Sequence, residues 1–277
     1  MSGNLALKFF NFNAKIMEEI IKAVKEVRLL AFLEFARYFA IAGGAYFLFY
    51  FLKKDKWLHK KIQKRFPKNQ NIGYEIKYSI INLLMFSILA LGNYWLKVNG
   101  YTKMYNHISD FGIPYFIFSI IAMILLHDAY FYWTHRFMHL KNVYPFVHQV
   151  HHHSTNPTPW AAYAFHPVEG LINYAILTII IVIMPTHIVA VSIWLLYSIV
   201  LNVGGHLGYE LFPKGFTKHK LYGLSNTSTH HNMHHSYFDC NYGIYFNFWD
   251  KLMNTNHEKY HETFDKVAQA EPEMLWV

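Results

Sequence analysis

The 277-residue chain is 53% apolar and 19% aromatic but only 15% charged, with a formal net charge of +8. Soluble domains carry roughly a quarter of their residues as charges, so lipid is expected to cover part of this surface. A lone cysteine, Cys240, excludes an intrachain disulfide framework and any thiolate-rich zinc or iron–sulfur site.

The N-terminal segment, 1–28, has no charged region leading into a continuous apolar core and cleavage site, so no cleaved signal peptide is expected. The first span is read at 29–52, LLAFLEFARYFAIAGGAYFLFYFL, with Glu34 and Arg37 in its first turns. The loop 53–77 sets nine Lys or Arg against Asp55 and Glu75, a net +7. Such a run keeps a loop on the cytoplasmic side, and no nucleic-acid partner is expected. Spans at 78–96 and 113–133 then return the chain to that side.

A long apolar stretch, 168–203, is broken by Met184-Pro185-Thr186-His187, which predicts a helical hairpin, spanning or re-entrant. The polar stretches 134–168 and 204–277 therefore share a face with the basic loop. The fold class expected is all-α, an integral-membrane helical bundle of about four spans or hairpin helices with a cytosolic histidine-rich cap. The expected units are an N-terminal segment 1–28, two spans with the basic loop 29–112, a histidine-bearing unit 113–255 and a tail 256–277.

Nineteen histidines are present. In HDAYFYWTHRFMH, His135 and His139 lie four apart and share a helical face. Asp128 falls within about 20° of that face and His127 roughly 80° away. Asp128 is thus a candidate ligand or an acceptor fixing a ring tautomer, and His127 a less well placed ligand. His148, His151 and His152 repeat at i, i+3, i+4, and so do His231, His234 and His235.

Clustered imidazoles without a metal would suppress one another's protonation and leave ring nitrogens without partners, so metal binding is expected. His206, in NVGGHLGYE at the membrane boundary, is an additional candidate ligand. His153 and His230 fall off the box faces, while His59, His107, His187, His219, His257 and His261 stand alone in loops. His166 is read as lining a cleft or bonding to backbone. Eight or nine imidazoles exceed one zinc site and suit two metals with four or five nitrogens each. Nitrogen ligands without sulfur or carboxylates favour iron, and zinc is a possible substitute in a purified sample.

HDAYFYWTHRFMH, HQVHHHSTNPTPWAAYAFHPVEG, HHNMHHSYFDCNYG and FNFWD together resemble the fatty acid hydroxylase/sterol desaturase superfamily, most of all its sterol C-5 desaturase branch, over about 115–255. The resemblance implies a membrane-embedded di-iron oxidoreductase that uses O2 and external electrons to hydroxylate or desaturate a lipid. It carries His135, His139, His148, His151, His152, His231, His234 and His235 over as ligands, with His127 and His206 at other recurring histidine positions. Asn241-Tyr242-Gly243 is similar to the family's NYG, leaving Asn241, like Asp128 and His166, a candidate site residue.

The implied partners are a lipid substrate, the membrane and a separate electron donor (a b-type cytochrome, ferredoxin or reductase), because no fused cytochrome domain is seen. The expected location is a bacterial inner membrane or the endoplasmic reticulum, with the boxes facing the cytoplasm. Aromatics at 130–133 and 160–165 are candidates for the lipid path or for interfacial anchors. Two rival classes are a membrane metal transporter, which needs polar ligands through its spans, and a zinc-dependent membrane hydrolase, which needs an open metal position beside a base.

Overall fold

The structure, a computed structural model, describes residues 2–271. Four helices are long and apolar enough to cross a membrane: Ile20–Leu52, Asn69–Val98, Gly112–Met138 and Ile188–Gly205, with a shorter apolar helix at Pro167–Ile183. The first belongs to α1 (Ser2–Tyr38), which continues through π-type turns to Leu52, so the helix begins well before the expected 29. The other apolar helices are α2 (Asn69–Val98), α3 (Gly112–Met138), α5 (Pro167–Ile183) and α6 (Ile188–Gly205). The 27 residues of α3 rise about 40 Å, more than a hydrocarbon core of about 30 Å. Its last turn therefore lifts His135 clear of the lipid.

The α5–α6 hairpin runs the length of the bundle. Its tip, β2 (Thr186–His187), pairs in parallel with β1 (Met104–Tyr105) in the loop joining α2 to α3. Lys103 N donates to Ile181 O at 2.8 Å and Tyr115 Oη to Pro185 O at 3.0 Å. The tip and that loop thus share the end of the bundle opposite the histidines.

At the other end, the segment 156–166 is inserted between helices, where unpaired carbonyls would be costly. Trp160 O accepts from Tyr38 Oη (2.7 Å) and Ser79 Oγ (2.8 Å). Ala162 O accepts from Asn202 Nδ2 and Phe165 O from Asn82 Nδ2, both at 2.8 Å. Three helices thus supply donors for an irregular backbone, which is why buried Ser and Asn sit in otherwise apolar spans.

Close approach of α5 to α2 depends on Gly170: a Cβ there would lie 1.9 Å from Asn82 Oδ1 and 2.6 Å from the Met85 methyl. Gly170→Ala is expected to displace Asn82 from Phe165 O and cost about 1–3 kcal/mol, read as a lower thermal midpoint in detergent. An unchanged midpoint would show that the helices part without loss.

The cap contains α4 (Gln149–His152), α7 (Ser228–Tyr237), α8 (Phe248–Leu252) and α9 (Tyr260–Ala268). Helix α9 falls in the expected tail, yet its Tyr260, Phe264 and Ala268 pack on Met233 of α7. Residues 272–277 lie outside the described residues. The basic loop docks on the same end: Ile62 N donates to Gly208 O at 3.0 Å and Gln63 Nε2 to Thr155 O at 2.8 Å.

Candidate metal centre

Among the described residues, nine histidines form two groups whose ligand nitrogens lie within 4.8 Å of one another in each group: His135, His139, His148, His152 and His234, and His151, His206, His231 and His235. Each HxxHH box is divided between them. Residues four apart on a helix project together, whereas adjacent residues diverge by about 100°. Hence His148, the N-cap of α4, and His152 serve the first group and His151 the second, while His231 and His235 of α7 serve the second and His234 the first. His135 and His139, at the end of α3, complete the five; His206, at the C-terminus of α6, completes the four.

Main-chain carbonyls orient most of these rings. Nδ1 of His135 faces Tyr242 O (2.8 Å), that of His234 Cys240 O (2.6 Å) and that of His235 Ser154 O (2.9 Å). His206 Nδ1 faces Asn202 O (2.8 Å), and His151 Nδ1 makes a longer contact with Ala164 O (3.4 Å). A carbonyl only accepts, so Nδ1 carries the hydrogen and Nε2 keeps its lone pair. His148 Nδ1 lies 2.9 Å from Glu169 Oε2, a buried contact without hydrogen-bond alignment.

The Nε2 atoms face one another: His135–His148 at 2.9 Å, His152–His234 at 3.0 Å, His206–His231 at 2.9 Å, His231–His235 at 3.1 Å and His206–His235 at 3.3 Å. Burial first, and neighbouring imidazoles second, hold His148, His151, His152, His231, His234 and His235 well below the usual histidine range. Burial likewise brings His206 down to about 4. The rings are therefore neutral, and the Nε2 lone pairs of His206 and His235, whose Nδ1 hydrogens are both held by carbonyls, repel across 3.3 Å unless a cation lies between them.

Metal–nitrogen bonds of about 2.1 Å place neighbouring ligand nitrogens about 3.0–3.4 Å apart for octahedral to tetrahedral ions. The observed separations fit, as does the buried, unpartnered Nε2 of His139. An all-imidazole set matches iron or zinc and not calcium or magnesium.

His127 departs from the expected ligand role. Its Nδ1 bonds Tyr245 Oη at 2.7 Å and its ring packs edge-on to Trp194, outside both groups. Asp128 accepts from Tyr245 N (3.0 Å) and Phe246 N (3.1 Å), so it ties the 240–247 loop to α3 rather than fixing an imidazole. Asn241, at φ 58°, accepts from His257 N and donates to His230 O. His166 caps α5 by accepting from Val168 N at 3.2 Å.

Two features escaped the sequence reading. One is Glu169, a carboxylate at the start of an apolar helix in AFHPVEG; such a carboxylate beside a box is the signal that could have found it. The other is the set of carbonyl acceptors. Asp250 of FNFWD positions one of them, Tyr242 O, by accepting from Tyr242 N (2.9 Å) and Gly243 N (2.8 Å).

A cavity of about 560 Å³ opens on both groups, touching His135, His148, His151, His206 and His231 between walls that include Phe131, Phe165 and Ile244. Its mouth is rimmed by the exposed apolar side chains Leu211, Phe212 and Tyr222. The arrangement sets two adjacent groups of imidazoles able to hold a cation against an apolar cavity.

The fatty acid hydroxylase family model matches residues 120–255. Human lathosterol oxidase is 35% identical over 221 residues, covering 76% of this chain and 70% of the relative. A Delta(7)-sterol 5(6)-desaturase of Gibberella zeae is 34% identical over 196 residues, covering 67% and 57%. One of Schizosaccharomyces pombe is 29% identical over 220 residues, covering 77% and 68%. This chain belongs to the fatty acid hydroxylase family. No solved structure matches it.

Family members of this kind are iron-dependent oxidoreductases, and the chain is a membrane lipid oxidase or desaturase. The matched segment runs from α3 to α8 and contains all nine clustered histidines. Nothing favours the transporter or hydrolase readings.

Proposed function

We propose that the fatty acid hydroxylase chain holds two irons, one on His135, His139, His148, His152 and His234 and the other on His151, His206, His231 and His235, and oxidises a C–H bond of a sterol. The observation that carries this is the pairing of facing, neutral Nε2 atoms in two adjacent groups that share one apolar cavity. The names of the relatives support a sterol substrate and desaturation as the outcome. Bound iron supplies the one-electron chemistry that O2-dependent C–H oxidation requires.

The chain's own part is positional. Phe131, Phe165 and Ile244 exclude water and hold an aliphatic skeleton beside the histidine edge. The carbonyls of Tyr242, Cys240 and Ser154 fix ring orientation, and the Glu169 carboxylate lies against His148. Leu211, Phe212 and Tyr222 admit lipid from the membrane interface. The basic loop 53–68, packed on the cap, supports a cytoplasmic cap by the positive-inside rule and offers a docking face to a separate, acidic redox donor.

The test compares membrane lipids by mass spectrometry in cells making equal amounts of the intact chain or of His151→Ala/His152→Ala. A sterol losing two hydrogens only with the intact chain is the expected result, and a lipid gaining one oxygen would make it a hydroxylase. No difference, with donor, O2 and sterol supplied, would overturn the reading.

A further inference from the structure

Beyond the large cavity lies a smaller one of about 90 Å³, sharing the walls Phe131, Phe165, Asn202 and Ile244 and reaching between the membrane helices. Its far side is polar. Glu34 and Arg37 of α1 form an ion pair there, Tyr163 lies against the guanidinium, and Asn173 of α5 lines the same cavity. Both polar atoms of the Asn173 side chain, and Arg37 Nε, are buried without a partner. Arg37 falls in the middle of the apolar span Ile20–Leu52.

Ionisable groups at that depth are costly and mark a pathway or ligand contact, and buried polar atoms are normally paired. A cavity bordered by unpaired donors and an acceptor is complementary to a small group that is both. We propose that Asn173 and Arg37 receive the hydroxyl of the lipid substrate, so that the chain selects a neutral alcohol and sets which carbons stand beside the histidines. This rests on the lipid-oxidation reading and adds a recognition site to it.

The charge balance decides the class. Glu34 already neutralises Arg37, so a carboxylate or phosphate would bring an uncompensated negative charge next to Glu34 in low dielectric. An alcohol adds no charge. It can accept from Arg37 Nε or the Asn173 amide and donate to Asn173 Oδ1. The apolar walls between this nest and the histidines suit the hydrocarbon frame attached to it.

The test uses the full chain in lipid nanodiscs and equilibrium binding of a radiolabelled Δ7-sterol and its 3-deoxy counterpart, so that no turnover is needed. Wild type is expected to prefer the alcohol about tenfold or more, the discrimination that a site built to bond a hydroxyl shows. Asn173→Leu, which leaves the ion pair intact, and the double variant Glu34→Gln/Arg37→Met are expected to bring the preference to within about twofold, with bound iron unchanged. In turnover the loss should fall on KM for the alcohol more than on kcat.

Equal binding of both sterols by wild type, or a preference that survives both variants, would overturn the proposal and show that the nest holds only water. An intact alcohol preference without sterol oxidation would count against the enzymatic reading while supporting the nest.

Discussion

Replacing His148 and His152 together by alanine is expected to empty the five-imidazole group while the four-imidazole group stays loaded, and His231→Ala/His235→Ala to do the reverse. Each pair lies four apart on one helix and serves one group, whereas the neighbours left behind, His151 and His234, serve the other. Metal content per chain by mass spectrometry should fall from two to one in either variant. Lipid oxidation should fall by at least about 10³-fold, beyond the roughly 10–100-fold typical of losing an outer partner of a ligand. Loss of both metals from either variant would show that the two groups bind as a single unit. The ring contact between His152 and His235, at 4.8 Å, is where such coupling would run.

Stripping the metal is expected to lower the thermal midpoint in detergent by about 10 °C or more, equivalent to about 3–5 kcal/mol for a chain of this length. The reason is local: with no cation present, the Nε2 lone pair of His206 faces those of His235 at 3.3 Å and His151 at 3.4 Å, all three rings being held by carbonyls at Nδ1. The loss should deepen with acid. His206 is brought down to about 4 in the folded chain against an ordinary value of 6.5, and its neighbours are shifted the same way. Between those values the unfolded chain binds more protons, so stability falls as pH drops from about 6.5 towards 4. Unfolding midpoints of stripped and reloaded protein at pH 7.5 and 5.5 check this. Equal midpoints at both pH values would show that these imidazoles are not held neutral by the fold.

Much of the bundle was legible in the chain because its signals are local. Apolar runs long enough to span, the Pro185 break and the basic loop each act within a few turns, and they placed both boxes and loop 53–77 on one end. Helix boundaries were less legible. The α3 helix continues past the apolar run to Met138 because polar residues at its end are satisfied in the cap, so hydropathy stops before the helix does.

The candidate site was half legible. The i, i+4 spacings identified the clustered histidines, but the reading of each HxxHH as one face missed its division between two groups. That division follows from α4 and α7 lying between the two groups, each presenting adjacent residues to opposite sides. His127 illustrates the same limit: a histidine near the boxes in sequence turns towards Tyr245 and Trp194 because α3 faces α6 at that level.

The sequence alone sets the class of this molecule, since histidine density, spacing and apolar spans are properties of residue type and order. The tertiary structure decides which imidazoles face one another, which carbonyls hold their tautomers and how far the hairpin reaches along the bundle. It also brings Glu34, Arg37 and Asn173, distant in the chain, around one cavity. The reason is physical: a ligand set and a binding nest need atoms a few ångströms apart, and that proximity arises only when helices pack side by side.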